Sequence, residues 1–193
     1  MKHEIIEIRW HGRGGQGAKT AAFLFADAAL KEGKNIQAFP EYGPERMGAP
    51  VASYNRLSDG PITLHCGITN PQLVVVLDPT LMATVDVTAG LPEDGSLIVN
   101  SNFSPAEIRR KINLKARKVY TVDASKISKE TIGREIPNTP MLGALIKVSG
   151  LLNIKETLVD LELKLKKKFA SNPKLISGNL EAVKRAYEEV MGE

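Results

Sequence analysis

Cysteine, aromatic residues and long apolar runs are all scarce in this sequence. The 193 residues include one cysteine, Cys66, and aromatic side chains make up 5% of the chain. A single thiol excludes an internal disulfide framework, and it also excludes an iron–sulfur cluster held by this chain alone, because a cluster needs about four thiolate ligands. We expect Cys66 to be a small buried core residue. We also expect a mainly aliphatic core, since hydrophobic residues make up 42% of the chain.

The absence of long apolar runs bears on location and domain organisation. No run approaches the roughly 20 residues that a membrane-spanning helix needs, so we expect no membrane association. The N-terminal stretch MKHEIIEIRW interrupts its apolar residues with charge, and no A-x-A-like site follows, so no secretory signal is predicted. A cytoplasmic location is therefore expected. The length and the 25% charged fraction fit one globular domain over residues 1–193.

Charge is unevenly distributed along the chain, although the net charge is only +4. No Lys or Arg occurs from Asp59 to Phe103, whereas nine occur from Ser104 to Arg134. A basic segment of this kind either contacts nucleic acid, a phosphorylated ligand or an acidic protein, or is simply solvated. It lacks the aromatic interleaving that single-strand recognition uses, so we expect no nucleic-acid partner.

Hydrophobic patterning in the first part of the chain predicts an α/β fold. Glu4–Trp10 predicts a strand, Ala18–Glu32 a helix and Asn35–Phe39 a second strand. This order is that of a βαβ unit, which implies that the two strands form a parallel pair with a right-handed crossover. The unbroken apolar run at Leu73–Leu77, LVVVL, is typical of a central strand buried on both faces.

Further segments complete this pattern. Val51–Leu57 alternates as a strand, and Ile62–His65 is expected to pair with it across the intervening turn. Short strands are predicted at Ser96–Val99 and Val119–Val122. A helix is predicted between them at Ser104–Lys111, with Ser104 as its N-cap and Pro105 at its first position. Met141–Leu152 and two later amphipathic segments predict helices. We therefore expect a three-layer α/β/α fold with a mostly parallel central sheet and a helical C-terminal end.

The segment His11–Gly17, HGRGGQG, lies between the first predicted strand and the first predicted helix. Its glycines permit positive φ and a close approach of backbone N–H groups to an anion, and the helix N-terminus adds unpaired donors and a positive dipole end. It matches the pattern G-x-G-x-x-G of dinucleotide-binding domains. A Rossmann domain also has an acidic residue after its second strand that binds the ribose, and this sequence has none there, so we do not predict a nicotinamide-dependent enzyme. The alternative is a tight turn packed against a neighbouring element. The candidate anion-binding residues are Gly12, Arg13, Gly14, Gly15, Gln16 and Gly17.

The stretch Phe39–Pro50, FPEYGPERMGAP, combines proline and glycine with charge, an aromatic ring and methionine. Such a stiff loop is more typical of a recognition surface than of a connector, because Tyr, Arg and Met are enriched at interfaces. The alternative is a rigid crossover whose charges face water. The candidate interface residues are Glu41, Tyr42, Glu45, Arg46 and Met47.

No other arrangement in the sequence indicates catalysis or a metal site. The histidines His3, His11 and His65 are far apart and lack metal-ligand spacing, so each is expected to be structural. No Ser–His–Asp or paired-carboxylate arrangement is recognisable, and we assign no catalytic residue. Asp78 follows LVVVL at the edge where open α/β sheets bind ligands, or it caps the next helix. Asn138 or Thr139 is expected to cap the helix that follows, and the alternative is a functional contact through one of these residues.

Three segments together resemble the γ subunit of the 2-oxoacid:ferredoxin oxidoreductases, and among these the pyruvate enzyme. They are Arg9–Ala22 (RWHGRGGQGAKTAA), Phe39–Asn55 (FPEYGPERMGAPVASYN) and Ile136–Leu145 (IPNTPMLGAL). The resemblance extends over nearly the whole chain, and the order and spacing of the segments also fit. Related γ chains belong to indolepyruvate, 2-oxoisovalerate and 2-oxoglutarate enzymes.

This resemblance implies a function within a larger enzyme. The holoenzyme would oxidatively decarboxylate pyruvate with coenzyme A, giving acetyl-CoA, CO₂ and reduced ferredoxin. Thiamine diphosphate, Mg²⁺ and [4Fe–4S] clusters would belong to the partner subunits α, β and δ, and this chain would hold no cofactor alone. It would be a non-catalytic subunit that aids assembly and helps bind coenzyme A through its Gly-rich turn. The alternatives are a stand-alone nucleotide-binding module and a structural clamp whose turn contacts a partner.

Overall fold

The computed structural model describes residues 4–41 and 48–193. Its strands are β1 (Ile5–Arg13), β2 (Asn35–Glu41), β3 (Pro50–Ser58), β4 (Leu73–Val76), β5 (Ser96–Asn100), β6 (Lys118–Val122) and β7 (Met191–Gly192). Its α-helices are α1 (Ala18–Lys31), α2 (Pro105–Lys111), α3 (Ala124–Ile132), α4 (Asn138–Ser149), α5 (Ile154–Lys168) and α6 (Pro173–Glu189). A short 3₁₀ helix follows β4 at Pro79–Ala83.

The strands form one sheet in the order β2-β3-β1-β4-β5-β6-β7. Strands β1, β4, β5 and β6 are parallel, whereas β3 pairs antiparallel with both β1 and β2, and β7 pairs antiparallel with β6. All residues of β4, which covers the first four residues of the LVVVL run, are buried. The predicted α/β class with a mostly parallel centre is therefore confirmed.

Helices cover both faces of the sheet. On one face, α1, α3, α4 and α6 pack against side chains that include Ile8, Trp10 and Val75. On the opposite face, the 3₁₀ helix and α2 contribute Leu81 and Ile108 to a second aliphatic cluster. Helix α5 packs on α6, which completes the helical C-terminal end that the sequence predicts. No helix within the described ranges is long and apolar enough to cross a membrane.

Two expectations about strand pairing are wrong. Strands β1 and β2 are not neighbours, because β3 lies between them and pairs with both. Ile62–His65 is not a strand, since β3 already has a partner on each side. The connection from Glu41 to Pro50 is short, so the antiparallel return of β3 onto β2 has a low loop-closure cost.

The expectation that Cys66 lies in the core is also wrong, because its side chain is exposed. The buried guanidinium of Arg56 explains the difference. Its Nη2 donates to the Cys66 carbonyl at 3.0 Å, and its Nε donates to the carboxylate of Glu7 at 2.7 Å. The backbone at Cys66 therefore serves as an acceptor for a buried charge, and the thiol remains at the surface.

Candidate functional site

The carboxyl ends of β1 and β4 define a crevice at one edge of the sheet. The chain leaves β1 through α1, which packs on one face, and leaves β4 through the 3₁₀ helix, which packs on the opposite face. Connections that leave adjacent parallel strands toward opposite faces open a crevice between them, and this is where open α/β sheets bind ligands. The Gly-rich segment His11–Gly17 forms one side of this crevice, and Asp78 lies on the other.

The Gly-rich segment is part strand and part turn. Strand β1 continues through Arg13, so the turn itself is shorter than the sequence predicts. The backbone φ is +99° at Gly15 and +85° at Gly17, values that residues with a Cβ rarely adopt. At Gly12 the requirement is space, because an added Cβ would lie 3.2 Å from the Cβ of Ala18. The close turn from β1 into α1 therefore depends on glycine for two different reasons.

The side chain of Arg13 connects the two sides of the crevice. Its Nε donates to the Asp78 carboxylate at 3.0 Å, and its Nη2 donates to Thr80 Oγ1 at 2.9 Å. Its Nη1 donates to the Gly48 carbonyl at 3.3 Å. Gln16 donates its Nε2 to the same oxygen of Asp78 at 2.8 Å and accepts the Arg13 N–H at 2.7 Å. The guanidinium is thus engaged within the protein and holds the turn in place.

Asp78 fulfils both of the roles that the sequence leaves open. Its Oδ1 accepts the Thr80 N–H at 2.9 Å and so caps the 3₁₀ helix, while its other oxygen faces the crevice. Burial raises the pKa of Asp78, but hydrogen bonds from Thr80 and Gln16 and the charge of Arg13 outweigh burial and hold the pKa below its usual value. Asp78 is therefore ionised at neutral pH, and its charge is paired with that of Arg13.

Helices α1 and α4 both begin beside this crevice without a side-chain cap. The N-cap of α1 is Gly17, which has no side chain, and the N-cap of α4 is Pro137. The expectation that Asn138 or Thr139 caps α4 is wrong, because the helix begins at Asn138 and both residues lie inside its first turn. Asn138 instead lies against α1: its Nδ2 is 2.7 Å from the position of a Cβ added at Gly17. Two of the segments that carry the family resemblance therefore meet here.

A cleft of about 570 Å³ extends from the crevice along the carboxyl ends of β4, β5 and β6. Asn100 is buried in its wall and donates Nδ2 to the Leu77 carbonyl at 2.8 Å. The Lys111 ammonium lies 3.1 Å from the centroid of the Phe103 ring. Most of this lining was not predicted from the sequence. Polar residues that directly follow two of the predicted strands could have indicated it. The missed residues include Asn100, Ser101, Asn102, Phe103, Lys111, Asp123, Ser125 and Glu135.

His11 lies near the crevice, but its environment is that of a structural residue. The side chain is buried in β1, and burial together with the nearby charge of Arg9 lowers the pKa of His11 to about 4. The imidazole is therefore neutral at neutral pH and offers no positive charge to a bound anion. No cluster of three or more His, Cys, Asp or Glu side chains in residues 4–41 and 48–193 is arranged to hold a metal ion.

Of the candidate interface residues, the structure describes Glu41. It ends β2 and accepts a hydrogen bond from the hydroxyl of Tyr54, whose ring stacks on Phe39 with 5.4 Å between centroids. Burial and this hydrogen bond raise the pKa of Tyr54 to about 12. The end of β2 is thus held by side-chain contacts. Tyr42, Glu45, Arg46 and Met47 lie outside the described residues.

The sequence as a whole matches one known class of oxidoreductase. Residues 7–189 match the family described as pyruvate ferredoxin/flavodoxin oxidoreductase. The chain belongs to this family, and the resemblance noted in its three segments is confirmed.

Two relatives and one solved structure of similar length match nearly the whole chain. The chain is 48% identical over 185 residues to the "Pyruvate/ketoisovalerate oxidoreductases common subunit gamma" of Pyrococcus abyssi, covering 96% of this chain and 97% of that one. It is 46% identical over 187 residues to the "Pyruvate synthase subunit PorC" of Thermotoga maritima, covering 97% and 95%. The crystal structure of pyruvate oxidoreductase subunit PORC from Thermotoga maritima matches with a TM-score of 0.86 and 43% identity over 98% of this chain and 99% of that chain. The predicted assignment to an oxidoreductase subunit of this type is confirmed.

Proposed function

We propose that this chain acts as the γ subunit of a pyruvate:ferredoxin oxidoreductase and binds coenzyme A at the crevice between β1 and β4. The complete complex would convert pyruvate and coenzyme A to acetyl-CoA and CO₂ and pass the electrons to ferredoxin. The observation that carries the binding role is the position of the Gly-rich turn. It lies where the connections after β1 and β4 leave toward opposite faces of the sheet, at the N-terminus of a helix without a side-chain cap.

The oxidative chemistry belongs, in this proposal, to the partner subunits α, β and δ. They would contribute thiamine diphosphate, Mg²⁺ and the [4Fe–4S] clusters, since the single thiol of this chain, Cys66, is too few for a cluster. This chain would act as a single domain in the cytoplasm and contribute coenzyme A binding and assembly contacts. The backbone N–H groups of Gly15 and Gly17 would face a phosphate group, because those of Gly14 and Gln16 already donate to the carbonyls of Ala49 and Arg13. Arg13 would hold the turn in position through Asp78.

Substitution of Gly15 and Arg13 in the assembled complex tests the coenzyme A role. We expect both variants to raise the KM for coenzyme A about ten- to a hundred-fold without changing the KM for pyruvate, because Gly15→Val adds a side chain at a positive-φ position of the turn and Arg13→Ala removes the ion pair with Asp78 that holds the turn. The matched control is Gly33→Val, which changes another positive-φ glycine at the far end of α1. Circular dichroism checks folding. Unchanged coenzyme A dependence in both test variants would refute the proposal.

The segment from Glu41 to Met47 is proposed to contact a partner subunit. Its composition supports this role, because Tyr, Arg and Met are enriched in interface cores. We expect the double substitution Tyr42→Ala and Arg46→Ala to weaken assembly while leaving the melting temperature of the isolated chain unchanged. Native mass spectrometry of the reconstituted complex measures the effect, and an intact complex would contradict it.

A γ subunit shared between two oxidoreductases is a second candidate function. The relative from Pyrococcus abyssi, with its 48% identity, favours it, since that protein is described as common to pyruvate and ketoisovalerate oxidoreductases. Purification of this chain from its native cells, followed by identification of the accompanying subunits, distinguishes the two cases. One set of large subunits supports a dedicated pyruvate enzyme, and two sets support a common subunit.

A further inference from the structure

The sheet face that carries α2 differs between its two halves. Among the described residues, the aliphatic cluster on this face takes its strand residues from β4, β5 and β6. On β1, Ile8 and Trp10 point to the opposite face, so Arg9 between them points to the face of α2. The strand register places Arg9 opposite Tyr54 of β3, and Tyr54 opposite Phe39 of β2. These last three side chains define what is here called the Arg9 half-face.

Arg9 is buried on this half-face, and its guanidinium is only partly satisfied. The residue is 7% exposed, and its Nη2 donates to the carbonyls of Val87 at 3.0 Å and Ala89 at 2.6 Å. In the part of the chain that the structure describes, Nε is enclosed without an acceptor, and no ion pair includes this residue. Carbonyl groups accept hydrogen bonds but do not neutralise a charge. Arg9 is therefore a buried cation without a counter-ion in contact.

Two carboxylates act on Arg9 only from a distance. Asp86 accepts the N–H of Thr88 at 3.0 Å, and Glu41 accepts the hydroxyl of Tyr54. Burial lowers the pKa of Arg9 by more than these charges raise it. The guanidinium stays protonated, so the described residues do not offset the cost of burying its charge.

Arg56 shows how the same face stabilises a buried guanidinium within the chain. Arg56 of β3 is 1% exposed, and its Nε donates to the Glu7 carboxylate of β1 at 2.7 Å. Its other nitrogens donate to the side chain of Gln37 and to backbone carbonyls. A buried charge requires a paired and hydrogen-bonded counter-ion of this kind. Because Arg9 lacks one, its counter-ion is expected from another molecule.

His11 is the next residue of β1 that points to the face of α2. Its Nε2 is also enclosed and has no partner among the described residues. The register aligns His11 with Ala52 and Ala52 with Glu41, at the end of β2 that leads into the proposed interface segment. The imidazole is neutral, so it offers hydrogen bonding without a second charge. Two neighbouring side chains with unsatisfied groups therefore lie close to the segment that is proposed to contact a partner subunit.

We propose that a large partner subunit of the oxidoreductase covers the Arg9 half-face and places an Asp or Glu carboxylate against the guanidinium of Arg9. This inference rests on the proposed function and deepens it, because it names a contact residue of the assembly and the chemistry of its counterpart. A protein carboxylate is favoured over a free anion, since the ring of Phe39 on the same half-face is also partly exposed and a protein covers both.

Two matched substitutions in the reconstituted complex test the contact. Arg9→Lys keeps the charge and a donor for the backbone carbonyls, but it loses the planar guanidinium that pairs best with a carboxylate. Arg56→Lys makes the same change where the counter-ion is internal. Sedimentation velocity over a dilution series measures the Kd of the chain for the other subunits. The melting temperature of each isolated chain is measured beside it.

We expect Arg9→Lys to raise this Kd about ten- to a hundred-fold, because the buried pair across the interface loses its geometry. Arg56→Lys should leave the Kd within about twofold but lower the melting temperature of the isolated chain more than Arg9→Lys does. An unchanged Kd for Arg9→Lys, or an equal increase in both variants, would overturn the proposal.

A photo-reactive p-benzoylphenylalanine in place of Ala89 identifies the occupant, because Ala89 is exposed and its carbonyl contacts Arg9. We expect a cross-link to a large subunit beside an Asp or Glu. Removal of that carboxylate should raise the Kd of the unmodified chain but not that of Arg9→Lys. A cross-link within the chain or to a second copy would overturn the proposal. So would binding of inorganic phosphate to the isolated chain that Arg9→Lys abolishes.

The unmodified chain and the Gly15→Val complex separate this inference from the proposed function. If the unmodified chain assembles and Arg9→Lys assembles equally well, the inference fails and the proposed function stands. If Arg9→Lys weakens assembly while Gly15→Val leaves coenzyme A use unchanged, the inference stands and the coenzyme A role fails. If the unmodified chain does not assemble with the large subunits, both fail.

Discussion

Helices α1 and α4 begin differently from the other α-helices that the structure describes. Helix α2 begins with a reciprocal pair of bonds, in which Ser104 Oγ accepts the Glu107 N–H at 3.4 Å and the Glu107 carboxylate accepts the Ser104 N–H at 2.8 Å. The side chains that cap α3, α5 and α6 are Asp123, Asn153 and Asn172. At α1 and α4 no side chain makes such a bond.

The uncapped N-termini show where first-turn backbone N–H groups lack a capping side chain. A side-chain cap contributes about 1 kcal/mol to stability, so a helix without one gives up that contribution. Both helices that do so meet at Gly17 and Asn138, on the edge of the sheet where the crevice opens. The capped N-termini are closed by side chains of the chain itself, whereas at α1 and α4 no side chain makes a cap hydrogen bond.

The largest expected effect comes from placing a side chain at Gly17, against Asn138. Gly17→Ala places a Cβ 2.7 Å from Nδ2 of Asn138 and forces alanine into a left-handed conformation, so we expect a loss of about 3 kcal/mol in the free energy of unfolding. The control Gly33→Ala has a similar φ but open space around the added Cβ, and should lose about 1–2 kcal/mol. Urea unfolding of the isolated chain measures both. Equal losses would mean that the contact with Asn138 contributes nothing.

A smaller effect is expected at a capped N-terminus. Ser104→Ala removes the hydroxyl that accepts the Glu107 N–H, and we expect the free energy of unfolding to fall by about 1 kcal/mol. Ser104→Thr keeps a hydroxyl at the same position and serves as the control. Thermal unfolding of the three proteins provides the measurement. A full loss in the threonine variant would show that the cap is not the cause.

The smallest effect concerns the pH dependence of Asp78 at the crevice. Its pKa lies below the ordinary value of 3.8 in the folded protein, so the ionised form stabilises the fold above pH 3.8. This contribution declines as the pH falls through the folded pKa. We therefore expect the stability advantage of the unmodified chain over Asp78→Asn to shrink below about pH 4. Melting temperatures between pH 2.5 and about pH 7 measure it, and a constant difference would contradict it.

Local patterns in the sequence predict those parts of the fold that depend on neighbouring residues. The run Leu73–Leu77 identifies the central strand, and Ser104 before a proline identifies the start of α2. Pairing depends on contacts that are distant in sequence, and no local pattern indicates that β3 returns between β1 and β2. For the same reason the sequence finds Gly17 and Asn138 separately, yet does not reveal that they touch.

The position of Cys66 shows a further limit of composition. A lone cysteine is usually a buried apolar residue. Here the backbone carbonyl of Cys66 accepts a hydrogen bond from the buried guanidinium of Arg56, while the side chain is exposed. The residue type indicates that a cysteine side chain prefers to be buried. It does not indicate that the backbone of this segment accepts a hydrogen bond from a buried charge elsewhere in the chain.

The parallel pairing of β1 with β4 makes the crevice a late product of folding. Strands β2 and β3 pair with each other and with β1 once the chain up to Ser58 is available. The register that joins Ile8 to Leu73 requires a much longer loop to close, and closure of such loops slows folding. During synthesis, Arg13 therefore leaves the ribosome well before Asp78, its partner across the crevice. Until β4 pairs with it, one edge of β1 presents unpaired backbone groups, and such an edge is open to association with other strands.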